Sequence, residues 1–428
     1  MRRLLFINAP FGPFFRELTE ALEASGCKVF RIVVEGGEFM STPSANRIRF
    51  PGGCEWESFV ERQIRSLKID GVVTFNDTLP RTRGALETAK RLHVARYVLE
   101  NGYLRPFWVT FDRDGVNGHS PLPADPTFFA AEAGLARTHQ TFEFRVRHHV
   151  INTVSHFAWS VALSPFLRFD ASAFGDSVWK QAYWYSREWI WRNTHAESVG
   201  LDELRRRRSQ GRKIFLHLMQ KLGDAQLTEH SRFVDNNGHL AETLESLARS
   251  APSDADLVIK QHPLDYGKDR SPRFVKELSR KLGLEGRVFY LRKTSFEQAL
   301  DLASAVITVN STGGLSAIER GLPTFCLGRA FYDMPKLTAQ DDLDVFWKRP
   351  APPCGETAKA FIAYLKRTSQ LNGGFHSKAA RTLLVPKLAE MLAEDALVRH
   401  PATPARKIKT GPIDEIGHAT PVSTIRSG

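Results

Sequence analysis

Short apolar runs that stop at polar, glycine-containing turns recur along the chain, and the stretches between them repeat their apolar residues with helical spacing. In the first half Leu4 to Ile7 reads as a strand, Gly12-Pro13-Phe14-Phe15 as a loop, and Arg16 to Ser25 as a helix closed by Gly26. Strands follow at Lys28 to Val34, Ile69 to Phe75 and Ala95 to Leu99, with a helix at Thr82 to Leu92. The second half repeats the form, with strands at Lys213 to Leu218, Leu257 to Ile259, Val288 to Leu291, Val306 to Val309 and Thr324 to Leu327. Strands spaced by helical segments predict an α/β fold with parallel, doubly wound sheets.

At 428 residues the chain is long enough for two such units facing a cleft. Their expected limits are 1–200 for an N-terminal Rossmann-like domain and 201–395 for a C-terminal one, with a basic, disordered tail at 396–428 rich in proline. Residues 153–195 stand apart, with Trp159, Trp179, Trp184, Trp189 and Trp191 at helical spacing. Core or interdomain packing is the plain reading; a lipid-facing surface is the sharper one, since Arg187 and Arg192 accompany the tryptophans.

Charge narrows the partners. The chain has 59 Lys+Arg against 47 Asp+Glu, a net charge of +12, which points to an anionic partner: nucleic acid, anionic lipid or a charged sugar nucleotide. No nucleic-acid-binding module is present, so that class is set aside. Runs such as Arg205 to Arg208 and the tail's Arg406, Lys407 and Lys409 read by default as solvated surface. Cys27, Cys54, Cys326 and Cys354 are scattered, forming neither a zinc pattern nor a disulfide framework, and a reducing cytoplasm is expected. Met1 to Pro10 is too briefly apolar for a signal peptide and reads as the first strand. No run approaches bilayer length, so at most peripheral membrane contact is expected.

Candidate chemistry sits where strands end. After the apolar run Ala303 to Val309 come Asn310-Ser311-Thr312-Gly313-Gly314, a turn leading into a helix that carries Glu319. Free backbone N–H groups at such a turn favour a phosphate; an ordinary helix cap is the plain alternative. Leu257 to Ile259 run into Lys260-Gln261-His262-Pro263, where the proline holds His262 extended at the strand's carboxyl end, the edge at which open α/β sheets bind ligands. Asp224 and Gln226 follow the strand at Lys213 to Leu218, with Asp224 a candidate catalytic carboxylate or an N-cap. Glu100 and Asp112 are acid/base candidates, and Arg105 offers a planar fork for a substrate carboxylate. Asp112-Arg113-Asp114 and Asp254-Ala255-Asp256 match a DxD metal pattern too common to count, and no metal or cofactor is assigned.

Five ordered motifs carry a resemblance: Gly102-Tyr103-Leu104-Arg105-Pro106, Gly115-Val116-Asn117, Asp224-Ala225-Gln226, Lys260-Gln261-His262-Pro263-Leu264, and Asn310 to Leu315 through Gly328-Arg329-Ala330. They resemble the capsule polysaccharide synthesis proteins of the KpsS/LipB type, with the rhizobial LpsZ/RkpJ-like proteins closest in length. The resemblance covers about residues 4–390 and implies a GT-B-like pair of Rossmann-like domains and a retaining β-Kdo glycosyltransferase. Its donor would be CMP-β-Kdo, its acceptor a phosphatidylglycerol-type lipid, and its place the cytoplasmic, inner face of the inner membrane beside other capsule synthesis and export proteins. On the matched positions it implies Asp224 as nucleophile, Glu100 as acceptor base and His262 at the leaving phosphate. Lys260, Pro263, Asn310, Ser311, Thr312, Gly313 and Glu319 would hold the donor, and Arg105, Asp112, Asn117 and Gln226 the substrate side. The rival readings are a non-catalytic adaptor of polysaccharide export and a transferase that uses another CMP-sugar.

Overall fold

The computed structural model describes residues 1–131, 138–143, 146–163, 183–184, 186–188, 190–191, 194, 199–221, 227, 229–262, 265, 270–397 and 400. Along the first half, β1 (Arg3–Ile7), α1 (Phe14–Ala24), β2 (Lys28–Val33), α2 (Gly36–Ser41), β3 (Arg47–Arg49), α3 (Trp56–Leu67), β4 (Gly71–Phe75), α4 (Pro80–Arg91), β5 (Ala95–Asn101) and β6 (Trp108–Arg113) follow one another, then α5 (Pro126–Ala131) and α6 (Val146–Leu163). The second half runs α7 (Leu201–Ser209), β7 (Lys213–Leu218), α8 (Asn236–Ser250), β8 (Ala255–Lys260), α9 (Ser271–Lys281), β9 (Val288–Leu291), α10 (Phe296–Leu302), β10 (Ala305–Thr308), α11 (Gly313–Glu319) and β11 (Thr324–Cys326). It closes with α12 (Leu343–Phe346), α13 (Gly355–Thr368), β12 (Gln370–Asn372) and α14 (Lys378–Glu394).

Two sheets result, ordered β12-β6-β5-β4-β1-β2-β3 and β11-β10-β7-β8-β9. The second is wholly parallel, and in the first only the β5–β6 and β6–β12 pairs are antiparallel. Side chains alternate between faces, so each strand serves two cores. Leu4, Phe6, Val73 and Tyr97 pack under Phe14, Phe15 and Leu18 of α1, whereas Leu5, Ile7 and Val72 pack under Phe59 and Ile64 of α3 and Ala85 of α4. Phe215, Leu257 and Ile307 meet Leu240, Leu244 and Leu247 of α8, while Leu216, Val258 and Val306 meet Leu204, Leu300 and Ala317. This two-domain, Rossmann-like α/β arrangement is the fold class expected.

The second unit gives up its last elements. The limit expected at 395 is corrected to the end of α13, because β12 pairs with β6 of the first sheet and Leu384 and Leu388 of α14 join the core beneath α1. A fifth core lies between the domains, where Tyr103, Trp108 and Phe129 meet Phe331, Tyr332 and Phe361.

Charged residues inside are matched. Arg31 and Glu38, both buried, are 2.9 Å apart. Arg207 of the basic run reaches Asp256 at 3.1 Å, and Asp256 also accepts from Arg212 at 2.7 Å. Asp256 is fully buried at the amino end of β8, opposite the edge where ligands bind, so this half of the DxD pattern is a strut. Arg205 and Arg206 bond to Asp202 and Glu203 one turn earlier, which makes the run a self-neutralised helix.

Buried histidines give the fold a pH dependence. Burial pushes His217 and His230 down to about 3 and His376 to about 4. All three stay neutral in the folded chain while the unfolded chain binds protons below about 6.5, so their contribution is complete above that pH and lost as pH falls. Each costs at most about 2 kcal/mol at pH 5. The melting temperature is expected to drop by several degrees between pH 7 and pH 5, as read by circular dichroism; a flat profile would refute the assignment.

Candidate active site

In an open parallel sheet, a crevice forms where successive connections leave to opposite sides. In the first sheet that point lies between β1 and β4, and in the second between β7 and β10. Asn8 and Asn76 follow β1 and β4, both with left-handed backbone (φ 61° and 63°), which asparagine tolerates better than most side chains. The Asn76 Oδ1 accepts from Thr82 at 2.9 Å and from the Leu79 N–H at 3.3 Å, tying β4's end to the start of α4. A cavity of about 170 Å³ opens beside it, lined by Asn8, Val34, Glu38, Trp56, Leu79 and Thr82 among others.

The two crevices are joined by histidines. Asp77, buried just past β4, accepts the Val116 N–H at 2.9 Å with Oδ2, and the same oxygen is 3.2 Å from His119 Nδ1. The His119 ring meets His230 of the second domain edge-on at 4.3 Å. Arg329 donates to His230 Nδ1 at 2.9 Å, which places the His230 proton on Nε2. That N–H is buried and makes no hydrogen bond among the described residues. Burial, then the neighbouring His119 and Arg329, keep His230 neutral. Gly118 is required here because a Cβ would lie 2.4 Å from the His230 ring. Asp77 fixes the ring of His119, which stays half exposed at the cleft.

Asn310 is held by a chain of polar groups running out of the core. Thr243 lies 3.2 Å from His217 Nδ1, His217 Nε2 2.9 Å from His239 Nδ1, and His239 Nε2 3.0 Å from Asn236 Oδ1. The Asn236 amide then donates to the Gln220 carbonyl at 3.2 Å, and the Gln220 amide donates to Asn310 Oδ1. With both histidines neutral and protonated on Nε2, the His217–His239 and His239–Asn236 links each have one donor, while the Thr243 hydroxyl donates to the His239 carbonyl at 2.8 Å. Burial holds both rings below the usual histidine range. The chain therefore orients Asn310 from the core side.

The expected site residues are distributed as follows. Asn310 to Gly313 follow β10, while Lys260 ends β8 and His262 follows it, roughly 10 Å away across β7 at ordinary strand spacing. In the turn, Ser311 Oγ accepts the Gly313 N–H at 3.2 Å, a bond a bound phosphate would replace. Thr312 occupies the N-cap position without a side-chain cap bond, so its hydroxyl is not engaged in capping. Lys260 is buried, with its ammonium 2.9 Å from the Gln261 carbonyl and 3.4 Å from that of Arg292; it ties β8 to β9's exit. Glu319 is exposed at the far end of α11, about 9 Å along the axis from Gly313, so it does not join the turn. Glu100 stands at the carboxyl end of β5, its Oε1 accepting the Asn101 N–H at 2.8 Å. Asn117 donates its N–H to the Tyr103 hydroxyl at 2.6 Å, and burial, then the charges of Asp112, Asp77 and Glu100, raise that phenol well above its usual range. Arg105 is exposed and folds back on the Gly102 carbonyl at 3.3 Å.

Asp112 requires a correction. It is fully buried on β6, 3.2 Å from His400 Nε2 and accepting the Arg113 N–H at 2.8 Å, so no substrate reaches it. Burial raises its carboxyl pKa, partly offset by His400. Asp224, Gln226 and Pro263 lie outside the described residues. Sequence reasoning missed Asp77, His119 and His230, and used Arg329 only as part of a motif. Asn76-Asp77-Thr78 follows an apolar run as Asn310-Ser311-Thr312 does, a signal that could have found it; His230 gives no such local signal.

Comparison with known proteins places this architecture. Residues 70–376 match the family model described as "Capsule polysaccharide biosynthesis protein". The chain is 28% identical over 398 residues to the Escherichia coli "Capsule polysaccharide export protein KpsS", covering 88% of this chain and 97% of that one. It is 29% identical over 399 residues to the Neisseria meningitidis serogroup B "Capsule polysaccharide modification protein LipB", covering 88% and 92%. Among solved structures, "Thermosulfurimonas dismutans KpsC, beta Kdo 2,7 transferase" is similar at 14% identity and a TM-score of 0.42, covering 92% of this chain and 100% of that one.

The domain contact at Gly118 can be tested directly. Gly118→Ala is expected to lose about 1–3 kcal/mol through its clash with His230, lowering the melting temperature by a few degrees. Gly355→Ala, whose Cβ meets nothing within 4 Å, is the matched control and should be neutral. Equal melting temperatures would show that the His119–His230 contact is not needed for stability.

Proposed function

Because the chain belongs to the capsule polysaccharide biosynthesis protein family, as a member of the KpsS/LipB type, we propose that it is a retaining β-Kdo glycosyltransferase. In this reading it moves Kdo from CMP-β-Kdo to a phosphatidylglycerol-type lipid, starting the linker of a capsular polysaccharide from the inner face of the inner membrane. The observation that carries it is the meeting of two sheet crevices, bridged by His119 and His230, because a transferase must hold donor and acceptor on opposite walls of one cleft.

The donor belongs to the second sheet. CMP leaves as an anion and needs charge stabilisation more than a strong acid. The His262 imidazole, the Ser311 and Thr312 hydroxyls and the backbone of Gly313 supply it, with Asn310 held from behind by Gln220. The acceptor belongs to the first sheet, beside the cavity at Asn8 and Thr82. Net retention takes two displacements. Asp224 attacks the anomeric carbon and CMP departs; the acceptor hydroxyl, losing its proton to Glu100, then displaces Asp224. The Asp77–His119 pair offers a second proton carrier at the same cleft. Charge neutralisation by protein groups suits a reaction that needs no metal.

The test is a transfer assay with purified protein, CMP-β-Kdo generated in situ and a fluorescent lysophosphatidylglycerol acceptor, read by mass spectrometry with and without EDTA. A product heavier by one Kdo is expected in both, and Asp224→Ala should lose at least about a thousandfold in rate while CMP still raises its melting temperature. An active Asp224→Ala removes that residue's role. Absence of product together with absence of CMP binding overturns the transferase reading in favour of an adaptor, and CMP binding without product redirects it to another CMP-sugar or acceptor.

A further inference from the structure

Helix α6 is turned inside out. Its His149, Asn152, His156 and Ser160 face the protein: Ser160 Oγ accepts the Gly37 N–H at 2.9 Å, His156 Nε2 is 3.5 Å from Glu35, and His149 Nδ1 and Asn152 Nδ2 lie 2.9 and 3.3 Å from the two ring nitrogens of His376. The backbone approach is close, since a Cβ at Gly36 would sit 2.6 Å from the Trp159 carbonyl and one at Gly37 2.3 Å from the His156 ring. With that polar face fixed inward, the arc pointing to solvent is Val150, Ile151, Val154, Ala158, Val161 and Ala162, with Arg147 and Ser155 as its polar members. Val154 is 62% exposed, Ile151 60% and Val161 42%. From Val150 to Val161 the apolar residues span about 16 Å along the axis, and Trp159, 44% exposed, stands at their edge.

A water-facing helix places its polar residues outward, and this one does the reverse. Three features identify the occupant. No Asp or Glu occurs from Val146 to Leu163, and Arg147 lies on the exposed arc itself. Arg47 lies over the Phe39 ring at 4.1 Å, which sets a second guanidinium on α2, the helix on which α6 packs. Among the described residues no helix is long and apolar enough to cross a membrane, which leaves lying on it.

We propose that the outer face of α6 docks the protein in plane on an anionic lipid bilayer, burying Val150, Ile151, Val154 and Val161 among the acyl chains with Trp159 at the headgroups and Arg147 on lipid phosphates. The helix packs on α2, whose Glu38 lines the cavity at the first sheet's crevice, so docking brings that cavity to the membrane surface. The proposal rests on the lipid-acceptor reading only for its purpose; the docking itself stands on the exposed face.

The experiment is co-sedimentation of the full chain with vesicles of equal parts phosphatidylethanolamine and phosphatidylglycerol, and with phosphatidylcholine vesicles. Wild type is expected to partition onto the anionic vesicles at least about tenfold better than Ile151→Glu/Val154→Glu, while Val345→Glu, an exposed valine on the other domain, binds as wild type. Both changes fall at exposed positions, and unchanged melting temperatures exclude misfolding. Quenching of tryptophan fluorescence by brominated lipid should fall in Trp159→Phe. Equal binding by the double variant, or a wild-type dimer that it disperses without any vesicle binding, overturns the proposal; the second outcome would make the face a contact between copies. Transfer to a detergent-dispersed acceptor separates the two readings: the double variant keeps it if docking alone is lost, whereas a wild type that binds vesicles but transfers nothing fails as a transferase and not as a membrane-docking protein.

Discussion

Two parallel sheets can share a site only if the segments leaving their carboxyl edges pack against one another, and here that packing is aromatic. Tyr103 stacks on Phe331 at 3.9 Å, and Phe129 meets Phe361 edge-on at 4.9 Å. Such pairs bury large area at little cost in side-chain freedom and fix relative orientation more tightly than aliphatic contacts do. The returning strand β12 adds a covalent constraint, since the chain crosses to the second domain and comes back to close the first sheet. Everything at the cleft depends on this docking. The Arg83–Glu229 bridge across it, 2.8 Å long and half exposed, is worth little beside it.

Several of the buried charges among the described residues are paired. Arg31 has Glu38, Asp256 has two arginines, and the histidines are kept neutral and strung on hydrogen bonds. A neutral imidazole with fixed donor and acceptor ends transmits orientation without a net charge to desolvate. This explains why a central strand such as β7 tolerates His217: its partners on α8 are supplied within the same fold, and the line ends at Asn310, where orientation matters.

The fold was legible because each parallel strand is a nearly continuous apolar run and each helix a 3.6-residue repeat; every strand read from the second half is present. One rule, that ligands gather where strands end, singled out Glu100, His262 and the 310–313 turn, and the structure sets Glu100 at the end of β5 and the other two just past β8 and β10. The rule misjudged Asp112, because a carboxylate on an antiparallel strand looks the same in sequence whether it faces a cleft or a buried histidine 288 positions away. The segment 153–195 reads as packing or as a lipid-facing surface; Trp191, under the Arg292 guanidinium of the second domain at 3.4 Å, fits the packing reading, Trp179 and Trp189 lie outside the described residues, and on α6 the Gly36–Gly37 pair decides which face turns inward. Local pattern specifies that a helix has two faces; the neighbour chooses between them.

Net charge has to be read after these pairings rather than before. Many of the 59 Lys+Arg are matched locally: the run from Arg205 to Arg208 bonds to Asp202, Glu203, Asp256 and the Asp301 carbonyl, and Arg320 is matched by Glu297 and Asp301. A sequence count treats these arginines as equal to Arg147, yet a paired guanidinium on a polar helix does not draw an anionic surface as one on an acid-free apolar face does. On α6, by contrast, Arg147 stands beside exposed Val150, Ile151, Val154 and Val161, on the same domain as the cavity beside Asn8. The cleft's two walls are unlike in the same sense, the second sheet ending in phosphate-type turns and the first in a half-apolar cavity bordered by α2. In the proposed reaction, which joins a soluble, charged donor to an amphipathic acceptor, that asymmetry lets each substrate approach from the phase in which it is stable.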